Sequence, residues 1–394
     1  MNSDKIRELI EKHFEMFLER KAKEEEIQHY LIKIREGSIS INNLSKIFKS
    51  CEEFSRLQKK YEDIEKLDKD FEEILFQQND NEEIIEDKIE ARNIFVSAYN
   101  EDTKKGGIFV IKEQKLVPIF TDKICIGLCF YKPKQILFGI TENEPQLIAF
   151  KINENDFQKI PIIFENYILA RDPHGICIKN DKIFVVASNG DEYSKKATHT
   201  RKPKGYYNKD GDFVGKIIAS ELDFNETIHI KNSKVFDPFR CTHHHHINDI
   251  CFHNGEMFMT SLSYCDENKK YVEKGALSKL DTEFNAKIIN NKLRTPHSLQ
   301  SYKNKLYFCS SSQAALLSMN ENEKLKLEYK GIDAFMRGVL ITNDFFYIGY
   351  STSLQRTNSK FVNPLYGILK INKKSGESIK IDLPQEYNNV YSIM

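Results

Sequence analysis

His174-Gly-Ile-Cys-Ile-Lys-Asn-Asp-Lys-Ile-Phe-Val-Val-Ala-Ser188 and Arg337-Gly-Val-Leu-Ile-Thr-Asn-Asp-Phe-Phe-Tyr-Ile-Gly-Tyr-Ser351 follow one pattern. Each is an apolar run, an Asn-Asp turn and a second run rich in β-branched and aromatic residues, the signature of an antiparallel hairpin. His297 to Ser311 fits the same frame, as do Gly127 to Thr141 and Asn248 to Leu262. The second strands begin at Ile94, Ile136, Ile183, Met257, Leu306 and Phe345. The unit therefore recurs every ~40–50 residues. One longer interval holds a Lys-, Gly- and Tyr-rich insertion at about 189–215, which reads as a loop. This period predicts a mainly β fold, a six-bladed β-propeller over residues 91–394. The first repeat, Ile94 to Tyr99, has no strand before it, and Asn389-Val-Tyr-Ser-Ile-Met394 is expected to supply one and close the ring.

Residues 1–90 have a different period. Ile6, Ile10, Phe14 and Phe17 recur at helical spacing, as do Ile27, Tyr30, Leu31 and Ile34, and they predict an N-terminal α-helical domain. Gly37 is expected to end one helix, with Ser40 or Asn42 capping the next. From Phe54 to Glu86 one apolar stripe runs along a charged segment, which predicts a long helix that packs on the propeller or on a second subunit. Phe14 to Arg20, His29-Tyr30-Leu31, Gly37 and Ser50 to Phe54 together resemble a short helical unit, domain of unknown function 4214. That resemblance implies a setting beside surface-layer and glycan-assembly proteins, while the unburied apolar stripes of the helices themselves lead to the expectation of a homodimer or a partner protein held through them.

Lys+Arg and Asp+Glu both total 58, so no overall field favours nucleic acid or an anionic membrane. No apolar run reaches the ~18 residues of a membrane span, and the N-terminus lacks a signal-peptide core. Of the eight cysteines, Cys125, Cys129, Cys177, Cys251 and Cys309 fall in strand-like runs, and no pair has metal-knuckle spacing. All eight read as small apolar packing residues in a reducing compartment, and the expected location is cytoplasmic.

Placing the repeats in register brings Gly127, His174, Asn248, His297 and Arg337 to one position at the start of each first strand. In a propeller that strand is innermost, so these side chains are expected to meet at the axis. Residues two apart share a strand face, which adds His246 beside Asn248 and Asp172 beside His174. Three chemistries suit such a set. His174, His246 and His297 have the donor type for Zn, Mn or Fe. Alternatively, His174 and His297 act in acid–base or nucleophilic catalysis, with Arg337, Asn248 and Asp172 binding a small polar or anionic substrate. The His-mediated form of that chemistry includes sulfo- or phosphoryl transfer. The third is ligand binding without reaction, in a scaffold for glycan assembly. His243 to His245 read as loop residues.

The ordered motifs His245-His246-Ile247-Asn248-Asp249, Thr295-Pro296-His297-Ser298, Phe335-Met336-Arg337-Gly338 and Gly349-Tyr350-Ser351 resemble a bacterial propeller family, domain of unknown function 4915. Tyr366 to Ile371 and Val390 to Ile393 take the places of that family's last two motifs, so the resemblance spans about residues 170–394. His245 stands where the family has Trp, and Leu299 where it has a second Pro. The resemblance implies the fold and the site but no reaction. An enzyme acting on a small polar or anionic substrate, such as a sugar derivative of surface-glycan synthesis, is the expectation carried forward.

Overall fold

The computed structural model of the 394-residue chain describes residues 3–18, 21–36, 38–39, 41–55, 93–100, 102–141, 147–153, 156–165, 171–189, 215–240, 246–266, 268, 270–272, 274–351 and 365–394. The chain divides into two compact units, Met1–Glu72 and Glu73–Met394. The long helix expected after Phe54, the insertion loop and His243 to His245 lie outside the described residues, apart from the margins of the first two.

The first unit packs helices Ser3–Leu18, Glu24–Arg35 and Leu44–Lys49 around Ile10, Phe14, Leu18, Ile27, Leu31, Leu44 and Phe48. The second helix opens with Glu24, Glu25 and Glu26 and ends with Lys33 and Arg35, charges that suit the two ends of its dipole. The third is preceded by a 3-10 turn, Ile41–Asn43, and the residue at its N-terminus is Asn43, whose side chain makes no capping bond. Gly37, Ser40 and the side chain of Asn42, named as helix-ending and capping residues, lie outside the described residues.

The second unit is a six-bladed β-propeller. Blade 2 is Cys125–Tyr131, Ile136–Thr141, Leu147–Asn153 and Asp156–Ile160, hydrogen-bonded in chain order. Blades 4, 5 and 6 repeat this plan from inner strands Ile247–His253, Pro296–Tyr302 and Phe335–Ile341. Blade 3 runs outward from Arg171–Lys179 and gains a fifth strand, Ile162–Glu165, parallel to Ile228–Phe236. Burial explains the strand order. Ile94–Tyr99, Ile136–Thr141 and Phe335–Ile341 are buried along their whole length, because neighbouring blades cover both faces. Outer strands such as Asp156–Ile160 and Ser378–Ile381 turn charged residues to solvent, which protects the exposed edge. The Asn180-Asp181 turn, with φ of +50° and +52°, is the tight hairpin that the repeat predicted.

The ring closes as expected. Asn389–Ile393 pairs antiparallel with Ile94–Tyr99 and becomes the inner strand of blade 1. Phe95 and Met394 exchange both backbone hydrogen bonds at 2.8 Å. Where the pairing slips by one residue, the buried Ser97 Oγ accepts the Ser392 N–H at 3.0 Å. Ser97→Ala is expected to orphan that donor and lower unfolding free energy by about 1–3 kcal/mol, read as a shifted urea midpoint with an unchanged m-value.

Candidate functional site

The slip at Ser97 has a counterpart in every blade. The inner strand loses register with its neighbour between Cys125 and Gly127, Pro173 and Ile176, Ile247 and Asp249, His297 and Gln300, and Met336 and Val339. These β-bulges lie at the same end of the inner strands and re-aim the side chains around them. Ser298 (φ +65°) and Gly338 (φ +78°) hold the same left-handed turn in blades 5 and 6, and Ser298 Oγ accepts the Gly338 N–H at 2.7 Å. The five aligned residues therefore do share one position. In the closing strand that position is Tyr391, which the repeat comparison did not nominate, since the strand lacks the hairpin that defines the others.

Tyr391 organises the set. Its hydroxyl is 2.7 Å from His174 Nδ1, and the Arg337 guanidinium carbon lies 3.3 Å from its ring centre. The His246 ring is 4.3 Å from that of His174. Arg337, Tyr391, His174 and His246 thus form one continuous chain of contacts drawn from blades 6, 1, 3 and 4. Tyr391 reaches blade 3 past blade 2 because blade 2 offers only Gly127. A Cβ on Gly127 would stand 2.8 Å from the His174 carbonyl oxygen, so the close approach of the two inner strands requires glycine there.

The other nominated residues are tied into the walls. Asn248 Nδ2 donates to the Pro296 carbonyl at 2.7 Å, which ties blade 4 to blade 5. His297 Nδ1 lies 2.7 Å from the Thr295 carbonyl and 3.0 Å from Ser311 Oγ, and its ring packs edge-on against Phe335. Asp172 belongs to strand Arg171–Lys179, and its side chain lies outside the described residues. Among the described residues, no group of three or more His, Cys, Asp or Glu side chains is placed to hold a metal ion. The ligand set of His174, His246 and His297 is thus not assembled in the described geometry, since His297 belongs to the wall while the other two stack together.

Asp249 is a second residue the pattern missed. The bulge at Asn248 interrupts the two-residue alternation, so its neighbour is also turned toward blade 5. The Asp249 carboxylate accepts from Ile250 N and Leu299 N, each at 2.8 Å. Burial pushes its carboxyl up to about 6, partly opposed by those N–H groups and by the Arg337 charge. Burial likewise pushes the Cys251 thiol on the same strand and the Cys129 thiol on the blade 2 inner strand up to about 12, which leaves them inert packing groups. Cys265 departs from the expectation for the cysteines. It lies in a short ribbon beyond the blade 4 hairpin and is disulfide-bonded, while the other six described cysteines are free. The cysteines therefore no longer speak for one compartment.

A carboxyl with a raised folded-state pKa keeps a proton that the unfolded chain has released. Asp249 should therefore contribute fully to the folded state below about pH 4 and lose that contribution as pH rises through about 6, by at most about 3 kcal/mol. Urea melts across this range are expected to show the loss in the wild-type protein and not in Asp249→Asn.

No curated protein matches the sequence. Among solved structures, a chain of a nidogen/laminin complex has a TM-score of 0.48 at 11% identity, covering 76% of this chain and 97% of that one. A protein of unknown function from Bacteroides caccae gives 0.47 at 11% identity, with the same coverage of both chains. The periplasmic gluconolactonase of Pseudomonas aeruginosa gives 0.42 at 10% identity, covering 76% and 98%. Similarity at this level says nothing of activity. Among the described residues, no helix is long and apolar enough to cross a membrane. The sequence of residues 233–384, which carries Asn248, His297 and Arg337, matches the family model described as Domain of unknown function (DUF4915).

Proposed function

We propose that the axial mouth is the site of an enzyme acting on a small anionic substrate, with Arg337 receiving the anion and the His174–Tyr391 pair moving a proton. The observation that supports this reading is the continuous chain of guanidinium, phenol and imidazole, the first over the ring of the second and the second hydrogen-bonded to the third. Arg337 is 7% exposed and lies flat on the Tyr391 ring, so its planar donor fork is held in one orientation. Such pre-organisation favours bidentate capture of a carboxylate, phosphate or sulfate. The phenol hydroxyl, 2.7 Å from His174 Nδ1, has an immediate partner for proton exchange. Transfer to Nδ1 leaves a phenolate beside a fixed cation, which favours that charge state. His246 walls the imidazole from the other side. Asn248, His297 and Asp249 act as positioning residues that hold blades 4 and 5 in register. No step through a metal is derived, because the described side chains do not form a ligand set.

A non-catalytic binding site is the second reading. It is favoured by the commitment of Asn248 and His297 to structural partners, which leaves fewer groups for chemistry.

Thermal-shift titration with neutral sugars, aldonates and sugar phosphates separates these ideas. Anionic members are expected to raise the melting temperature of the wild-type protein. Arg337→Lys keeps the charge but loses the fork and the stack, and should weaken binding about tenfold or more. Neutral sugars stabilising the protein equally well would overturn the anion assignment. Tyr391→Phe retains the ring under Arg337 and should retain binding, while turnover of a bound compound falls about 100-fold or more. Unchanged turnover in that variant would remove the proton-transfer role.

A further inference from the structure

Asp249 carries a carboxylate that the proton-moving pair of the mouth does not use. It stands one residue beyond the axial position of blade 4, and N–H groups of blades 4 and 5 hold its two oxygens. Oδ1 accepts from Ile250 N and Oδ2 from Leu299 N, each at 2.8 Å. Blade 3 closes a further side. A Cβ on Gly175 would stand 2.4 Å from Oδ1, so the carboxylate has room there only because blade 3 offers no side chain. The next link leads to Arg337. Ser298, the residue before Leu299, accepts the Gly338 N–H at 2.7 Å, and Gly338 follows Arg337. The carboxylate of blade 4 and the guanidinium of blade 6 are thus fixed through one strand between them, Pro296–Tyr302, and each lies in the field of the other.

The other titratable groups on the strands packed against Ile247–His253 are neutral or engaged elsewhere. Burial holds the Cys129, Cys177 and Cys251 thiols in their neutral form. Lys179 donates to the Gly255 carbonyl, and Glu256 is paired with Lys279 at 2.6 Å. His253 Nδ1 meets Ser301 Oγ, and His297 Nδ1 meets Thr295 and Ser311. Arg337 is the charge to which Asp249 answers. When Asp249 is ionised, an anion arriving at the guanidinium also meets a fixed carboxylate, and protonation removes that opposing charge. Given that Arg337 receives the anion, we infer that Asp249 sets the anion affinity of the mouth, high when protonated and low when ionised. Its carboxyl, pushed up to about 6 by burial, changes state close to neutrality, so affinity falls as pH rises through that value. By linkage, a bound anion favours the protonated carboxyl and draws a proton onto it.

Inorganic sulfate, whose charge is constant between about pH 5 and about pH 8, serves as the probe. The full-length protein is titrated calorimetrically at both pH values and at constant ionic strength. Wild-type protein is expected to bind sulfate about tenfold more weakly at the upper pH. Histidines of the mouth also lose charge over this range, so Asp249→Asn is the deciding comparison. Near pH 5 the variant should match the wild type, and near pH 8 it should bind about tenfold more tightly. Equal affinities near pH 8, or a weaker variant, would overturn the role of Asp249 and leave the anion site standing. No binding by the wild type near pH 5 would overturn the anion site and the role of Asp249 with it. A measurement on the wild type alone stands even if the variant does not fold. Infrared difference spectra near pH 7 are expected to show a carboxylic-acid C=O band growing in as sulfate saturates the protein, and no such band would overturn the role of Asp249.

Discussion

The pairing of Asn389–Ile393 with Ile94–Tyr99 holds the propeller together. Each blade packs an apolar face on the next, so the cores form a ring that gains full burial only when the last blade meets the first. Without the closing strand, Ile94–Tyr99, which is buried along its entire length, becomes a free apolar edge at the centre of the molecule. The same pairing delivers Tyr391 to the axis. Closure of the ring and assembly of the site are thus a single event, carried by one strand.

The inner strands then do two jobs with opposite demands. Regular pairing stabilises the sheets, while the axial groups need side chains aimed away from the regular alternation. A bulge in each inner strand resolves this at a cost confined to one or two residues. The unpaired groups created there are recovered by side chains, within the blade at Ser97 and from the adjacent blade at Asp249 and Ser298. Ser97 accepts the Ser392 N–H, Asp249 the Leu299 N–H and Ser298 the Gly338 N–H. Gln300 does the same for Ile341 N further along the strand. Such contacts fix neighbouring blades to each other where the ladder itself is weakest.

The fold was legible because its signal is repeated: hairpins with Asn-Asp or Asn-Gly turns and uniformly apolar second strands leave little choice of architecture. The shared axial position was legible for the same reason, and His174 and Arg337 were nominated from it. Tyr391 was hidden because its strand is separated in sequence from the rest of blade 1, so no repeat displays it in frame. Asp249 was hidden because a period-two reading assigns it to the opposite face, and only a bulge changes that. The reading of three histidines as one ligand set rested on register alone, which does not show the partners each ring finds locally. A carbonyl two residues away and the Ser311 hydroxyl both engage His297 Nδ1.

The six positions around the axis can be read as a short word: Tyr391, Gly127, His174, Asn248, His297, Arg337. In lineages descended from such a chain, substitution at Tyr391, His174 or Arg337 rewrites the chemistry of the mouth, while Asn248 and His297 also carry contacts of the walls. Gly127 is different, because any added side chain collides with the backbone that carries His174. That letter stays blank until blade 3 shifts, and a specificity that needs a sixth functional group must recruit it from the loops above the ring. Evolution of this site is therefore channelled, with one sixth of the circle closed to single-step change.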